Sequence, residues 1–525
     1  MKLTGGLLIG AAEVTATAST MKALNPATGE VIEPEFALGG AAEVDRAVRL
    51  ADEAFDSYSH TGLAERAAFL DLVADKLEAV KDELAERTSL ETGQPVAQVR
   101  GETLHSAATF RKFAGVVRQG RFLQAAVDPA QPDRQPMPRM DHRLQKVALG
   151  PVVIFTASNF PVSYSVAGGD TASALAAGCP VVLKAHNAHP GASEIEGRVI
   201  REAVAEAGLH EGVFSLIRGD GNEIGEALVD HPLVQAVTFT GSEGGGMALY
   251  RRAQLRPDPI PVFTEMTSVN PTFVLPGALA ARGAEIGSGL AQFAQYNVGQ
   301  ACLKPAVLLA VDGPGFDELR DAVKAQVAKT AARTMLTPGI HGAYTGNVRR
   351  MQDNGATRIG AGAAPAAAWE GQSLVYEVTG EQLLAEPAMR EEVFGPFILL
   401  VRLSGPAQLR EVARSFRGQL SASLHAEASD HAAAVELLPI LERRTGRIVI
   451  NNFSMPQEVS YASVHTGPFP ATSDSRFTSV GMSAIERFLR PVTYQNFPDE
   501  LLPESLRETN PLHVWRLVDG ELTRD

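Results

Sequence analysis

Cysteine is nearly absent from this chain of 525 residues, with Cys179 and Cys302 as its two thiols. Two cysteines cannot build a disulfide framework, which excludes the small secreted scaffolds and fits a reducing cytoplasm. Long apolar runs are missing as well. No stretch approaches the length of a membrane-crossing helix, so no membrane span is expected. The Leu7-Leu8-Ile9 run behind Lys2 is too short and too broken by glycine for a signal peptide. Positive charge is in deficit. With 47 Lys and Arg against 61 Asp and Glu, the net charge is −14. That balance argues against nucleic-acid or anionic-membrane partners, which call for a basic footprint.

What is present is ordinary globular usage, 45% hydrophobic and 21% charged. The length predicts two or three domains. To about Leu38 the chain reads as short strands and turns, and helical spacing then runs through Val44, Ala47, Val48 and Ala51 and through Phe69, Leu70, Val73 and Leu77. A helix is expected from about Glu102 to Val117, and the Pro-rich stretch 128–140 reads as an extended connector. From Pro151 strands alternate with helices, with strands at 152–155, 180–184, 213–217 and 236–240. The alternation resumes after Asn270, with strands at 306–311, 397–403, 420–425 and 447–451. Such βαβα order implies parallel sheets covered on both faces. From about Val464 the period fades, and an arm or tail is expected.

Four places carry chemistry. The turn Thr240-Gly241-Ser242-Glu243-Gly244-Gly245-Gly246 leaves a strand for a helix; it is either a plain Gly-rich turn or a phosphate cradle at a helix start. Cys302 sits in Gly-Gln-Ala-Cys-Leu-Lys-Pro, whose polar neighbours suit a nucleophile meeting solvent and a cation better than the apolar setting of Cys179 does. Glu265 closes the apolar stretch Pro-Val-Phe-Thr; it is either an exposed strand end or a base whose pKa is raised by partial burial. Asn159 follows another strand at the sheet edge where α/β proteins keep their sites, or simply forms a turn.

TASNFP (156–161), CPVVLK (179–184), TFTGS (238–242), FTEMTSVNP (263–271), GQAC (299–302) and EEVFGPF (391–397) together resemble the aldehyde dehydrogenase superfamily, in its order and spacing, from about residue 3 to residue 500. The stretches 165–184, 259–279 and 467–496 are similar to the branch of 2,5-dioxovalerate (α-ketoglutaric semialdehyde) dehydrogenases and NADP-dependent long-chain aldehyde enzymes. The resemblance implies an α/β fold of two doubly wound parallel-sheet domains plus a small oligomerisation arm. It divides the chain into a cofactor-binding domain (1–137 and 151–270), a catalytic domain (271–465), and the arm with the C-terminal tail (138–150 and 466–525). A homodimer or homotetramer is expected, with no metal.

The implied reaction is oxidation of an aldehyde to an acid through a cysteine thioester. Cys302 is the nucleophile, Asn159 and the Cys302 N–H hold the oxyanion, and Glu265 activates water. Thr156, Lys184, His186, Asn187, Gly241, Ser242, Gly246, Glu392 and Phe394 are expected to bind the cofactor. Many relatives place a Glu three residues after the strand-end Lys to hold the NAD ribose. Asn187 stands there, so NADP is expected to be preferred, with Lys184 and His186 on its extra phosphate and NAD still usable.

The branch implies 2,5-dioxopentanoate as substrate and 2-oxoglutarate as product; a medium- or long-chain aliphatic aldehyde is the alternative. His105 and Thr109 stand where the branch has Arg and Gln, and Ala301, Leu303-Lys304 and the segment 451–458 also depart from it. A distal carboxylate then has Arg111, Lys112 and Lys304 as partners to choose from. Acyl transfer to coenzyme A is disfavoured by Glu265, and a non-catalytic role by the intact Cys302, Glu265 and Asn159.

Overall fold

The computed structural model describes residues 2–15, 17–455 and 457–525. Met1, Ala16 and Pro456 lie outside the description, the first at the start of the expected cofactor-binding domain and the last inside the divergent segment 451–458.

Two seven-stranded sheets organise the chain. The first runs Val262–Glu265, Ala236–Thr240, Val152–Phe155, Val181–Lys184 and Phe214–Ile217, all parallel. Leu7–Ile9 and Ala12–Val14 then close its edge in antiparallel pairing. Its strands are apolar on both faces because successive residues enter different cores. Val152, Ile154, Leu183 and Leu216 pack into one core, and Val153, Phe155, Val182 and Ile217 into another. Helices cover both sides, as the alternating order requires.

The second sheet runs Thr357–Ala361, Leu374–Thr379, Phe397–Leu403, Val307–Val311, Thr272–Val274, Gln419–His425 and Thr445–Ile450, parallel except at its first pair. Its faces alternate in the same way: Leu309, Leu399 and Val401 enter one core, Leu308, Ile398 and Leu400 the other. The fold class is thus two parallel-sheet α/β layers.

A smaller five-stranded sheet pairs Leu489–Gln495, His142–Ala148, Ala126–Asp128, Arg516–Val518 and Glu521–Thr523. Ala126–Asp128, expected within the first domain, is bonded into this arm. The expected tail is also not all arm. Residues 471–473 lie along the free edge of the first sheet, where the Met266 N–H donates to the Ala471 carbonyl at 2.8 Å and Glu265 bridges Thr472. No described helix is long and apolar enough to cross a membrane.

Candidate active site

Two sheet edges face each other across the site. The first sheet offers the C-terminal ends of its parallel strands, where Thr156, Lys184, Gly241 and Glu265 stand side by side. The second offers the entries to three adjacent strands: Asn270 before Thr272–Val274, Cys302 before Val307–Val311, and Glu392 and Phe394 before Phe397–Leu403.

The loop bearing Cys302 is held by its backbone and by buried amides. Asn297, Val298 and Gly299 all take positive φ. Gly299 must be glycine, because a Cβ there would stand 2.2 Å from the Gly395 carbonyl oxygen. The Asn270 side-chain amide donates to the carbonyls of Cys302 (2.8 Å) and Lys304 (3.0 Å). Asn159 is buried, and its amide donates to the Gln300 carbonyl at 3.2 Å. One hydrogen of that amide remains, and among the described residues the Cys302 N–H has no acceptor. Both are placed to bind an oxyanion beside the sulfur.

The Cys302 sulfur lies 3.4 Å from His465 Nε2, and the same nitrogen lies 2.8 Å from Glu265 Oε1. The latter is a close electrostatic contact without hydrogen-bond alignment, since that oxygen has no aligned donor. The Ser479 hydroxyl donates to the other Glu265 oxygen at 3.2 Å. Burial pushes the Cys302 thiol well above its ordinary value, and the negative charge of Glu265 adds to the rise. Burial acts to raise Glu265 too, but the charge and proximity of His465, with help from Cys302 and Ser479, bring it below the usual carboxylate value. The expectation of an acid raised by burial is therefore reversed, because a histidine covers the carboxylate.

His465 was not among the residues singled out in the sequence. It lies where periodicity fades, two residues before the Gly467 stretch shared with the branch, and that nearness was its one signal. The expected cation beside Cys302 also needs correction. Lys304 is buried and faces away, donating to the carbonyls of Val393 (2.5 Å) and Gly395 (2.7 Å). It braces the loop that carries Glu392 and Phe394. Glu392 accepts from the Thr267 hydroxyl at 2.9 Å, and burial lifts its carboxyl to about 7. The ligand-capable atoms of Glu265, Cys302 and His465 lie within 4.8 Å of one another, so a thiophilic cation could bridge them only by occupying the reactive groups.

The cofactor groove has a matching donor set. The Lys184 ammonium has no hydrogen-bond or ion-pair partner among the described residues; burial lowers its pKa to about 8, opposed by the charge of Asp220. The Ser242 hydroxyl accepts from the Gly245 N–H (3.2 Å) and caps helix Glu243–Gln254. Gly241 donates to the Glu265 carbonyl at 3.0 Å, tying this turn to the reactive edge. Gly246 packs on Met266, whose sulfur a Cβ would meet at 2.8 Å. Thr156 receives the His186 N–H at 2.8 Å. His186 Nδ1 accepts the Ala188 N–H, and burial drops the ring to about 3, so it is a neutral turn brace rather than a cation. Asn187 donates to the Gly219 carbonyl at 3.3 Å. An acid does reach this groove, Asp220 from the end of the next strand.

A cavity of about 610 Å³ opens onto Cys302. Its walls include Phe160, Tyr164, Phe293, Tyr296, Leu303 and Met455, with His105, Glu102 and Gln457 as polar members. None of the expected carboxylate partners lines it. Arg111 pairs with Glu78 and Asp75, Lys112 with Glu458, and Lys304 is buried elsewhere.

A half-buried thiol beside a base, facing an open groove at the strand ends of an α/β sheet, defines an enzyme working through a covalent cysteine intermediate. The family model described as "Aldehyde dehydrogenase family" matches residues 14–467. The chain belongs to the aldehyde dehydrogenase family, whose members oxidise aldehydes with a nicotinamide cofactor. It is 52% identical to alpha-ketoglutaric semialdehyde dehydrogenase 2 of Azospirillum brasilense, over 99% of this chain and 100% of that one. To the alpha-ketoglutaric semialdehyde dehydrogenase of Acinetobacter baylyi it is 41% identical, over 99% of each. The fold matches the crystal structure of PnpE in complex with nicotinamide adenine dinucleotide, with TM-score 0.80 and 24% identity, over 96% of this chain and all of that one.

Proposed function

We propose that the protein oxidises 2,5-dioxopentanoate to 2-oxoglutarate, with Cys302 as nucleophile and Glu265 as the base that releases the acid. The observation that carries the chemistry is the meeting of Cys302, His465 and Glu265 at the foot of the cavity. The substrate rests on the full-length similarity to two enzymes named for α-ketoglutaric semialdehyde.

At rest the thiol holds its proton. Attack on the aldehyde carbon passes that proton to His465 Nε2, 3.4 Å away. The oxyanion then takes the free Asn159 hydrogen and the Cys302 N–H, donors worth roughly 3–4 kcal/mol each in such sites. The bound cofactor supplies the hydride acceptor, through its nicotinamide ring. Glu265, ionised and buried, next removes a proton from water attacking the thioester. Glu392 and Phe394 would hold the nicotinamide ribose, Gly241, Ser242 and Gly246 the pyrophosphate, and Thr156, Lys184, His186 and Asn187 the adenosine end.

The unpaired Lys184 supports a preference for NADP over NAD, opposed by Asp220. On this reading 1–137 and 151–270 bind cofactor, 271–465 carry the nucleophile, and 138–150 with 466–525 join copies of the chain. Exposed Met140, Leu501 and Leu522 support that last role.

The aromatic walls of the cavity favour a second reading, a medium- or long-chain aliphatic aldehyde. Steady-state formation of reduced cofactor, with 2,5-dioxopentanoate and hexanal as alternative substrates and with each cofactor, separates the two. A specificity constant for hexanal well above that for the dioxo acid would overturn the first.

A further inference from the structure

The cavity must hold a distal carboxylate if the substrate is a dioxo acid, yet among the described residues no lysine or arginine lines it. The cation lies one residue behind the wall. Arg447, on strand Thr445–Ile450, donates from Nη1 to the Gln457 side-chain oxygen, and Gln457 lines the cavity with Cys302. The Gln457 amide is anchored from behind by the Ser463 hydroxyl (2.6 Å) and the Val464 carbonyl (3.2 Å).

Arg447 differs from the chain's other pocket-side cations in lacking an acid. Arg111 and Lys112 are neutralised by carboxylates. Among the described residues Arg447 pairs with none, and its Nε is buried without an acceptor. The ionisable groups acting on it are Cys302 and Tyr164, both on the cavity wall. The other titratable groups at the cavity are His105, Tyr296 and Glu102. Glu102 is spent on the backbone N–H groups of Val162 (2.9 Å) and Ser163 (2.8 Å). A guanidinium with a free N–H and no counter-ion among the described residues, behind a wall rich in aromatic rings, is matched by a planar anion.

We propose that Arg447, acting with Gln457, selects aldehydes that carry a distal carboxylate. The proposal rests on the dioxo-acid reading above and names the residues that discriminate for it. Both Gln457 amide hydrogens are already donated, so the carboxylate takes the place of the Gln457 side-chain oxygen on the Arg447 guanidinium, while the aromatic walls hold the carbon chain.

The test compares 2,5-dioxopentanoate with pentanal, which has the same chain length and no charge, in Arg447→Met, Arg447→Lys and Gln457→Glu. Gln457→Glu keeps the arginine and its packing but gives it an internal carboxylate, so it stands if the methionine variant fails to fold. Expected is a 10- to 100-fold loss of kcat/KM for the dioxo acid in Arg447→Met and Gln457→Glu, mainly through KM. Pentanal should stay within about threefold, and Arg447→Lys should recover part of the loss. Equal losses on both aldehydes, or none on either, would overturn the role of Arg447 while the substrate reading stands. An unmodified enzyme that oxidises pentanal but not the dioxo acid would overturn the substrate reading, and the selection with it.

Discussion

His465 Nε2 stands 2.8 Å from Glu265 Oε1, and the same nitrogen, not its ring partner, is the one that faces the Cys302 sulfur. A single nitrogen therefore serves two acids in turn. Its lone pair takes the thiol proton as the nucleophile attacks, and the N–H so formed then lies against Glu265 and keeps that carboxylate ionised. The serial relay of a catalytic triad, in which the acid and the nucleophile bind opposite ring nitrogens, is not the arrangement here.

His465→Asn removes the main partner that keeps Glu265 below its ordinary pKa, and burial is then opposed by Cys302 and Ser479 alone. The carboxyl should titrate higher in the variant. The acidic limb of the kcat–pH profile should move toward higher pH, with turnover at neutral pH reduced by about 10- to 100-fold, in the range of a lost proton-transfer group. An unmoved acidic limb would show that His465 does not set the ionisation of Glu265.

Glu265→Gln should act on the thiol in the opposite sense to its effect on turnover. The Glu265 charge helps hold the Cys302 pKa up, so its removal brings that pKa down. Alkylation of Cys302 by iodoacetamide at neutral pH should be faster in the variant although steady-state turnover is slower. Alkylation slowed along with turnover would mean that Glu265 mainly serves as the base for the thiol.

Much of this site was readable because it sits in short motifs. Cys302, Glu265 and Asn159 lie where strand ends and their order placed them. His465 escaped because 464–480 has no hydrophobic period and owes its position to pairing with the sheet edge at Met266. Lys304 was misread because a lysine in a polar loop suggests solvent, whereas three-dimensional packing gave it two carbonyls. Asp220 is distant from Lys184 in sequence and meets it only through the parallel pairing of Lys184 with Ile217. The sheets were legible from βαβ alternation, but helix Lys81–Thr92, short and largely polar, was not. The reach of 126–128 into the arm depended on its pairing with Arg516–Val518, far along the chain.

Glu102 links stability to pH. Burial lifts its carboxyl to about 7 against the ordinary 4.5, so the folded protein holds this proton more tightly than the unfolded chain. Its contribution is most favourable below about pH 4.5 and is lost as pH rises through about 7, a swing of up to about 3 kcal/mol. Glu102→Gln keeps an oxygen for the Val162 and Ser163 N–H groups and removes the titration. The urea midpoint of the variant, compared with the unmodified protein, should improve from pH 5 to about pH 7 and then level off. A difference that does not change with pH would place Glu102 near its ordinary value.

At the cofactor groove the preference should follow charge. Lys184→Met should lower kcat/KM for NADP by about tenfold or more and change that for NAD much less. Asn187→Glu should swing preference toward NAD, and Asp220→Asn further toward NADP. Equal losses with both cofactors in Lys184→Met would mean that this lysine does not contact the extra phosphate.

The covalent intermediate is open to direct measurement. Glu265→Gln mixed with 2,5-dioxopentanoate and NADP, quenched in acid after one burst of reduced cofactor and digested, should yield an acylated peptide containing Cys302. Cys302→Ala treated in the same way should give neither burst nor adduct, with cofactor binding retained. A burst without acylated Cys302, or substantial turnover by Cys302→Ala, would contradict thioester chemistry at this site.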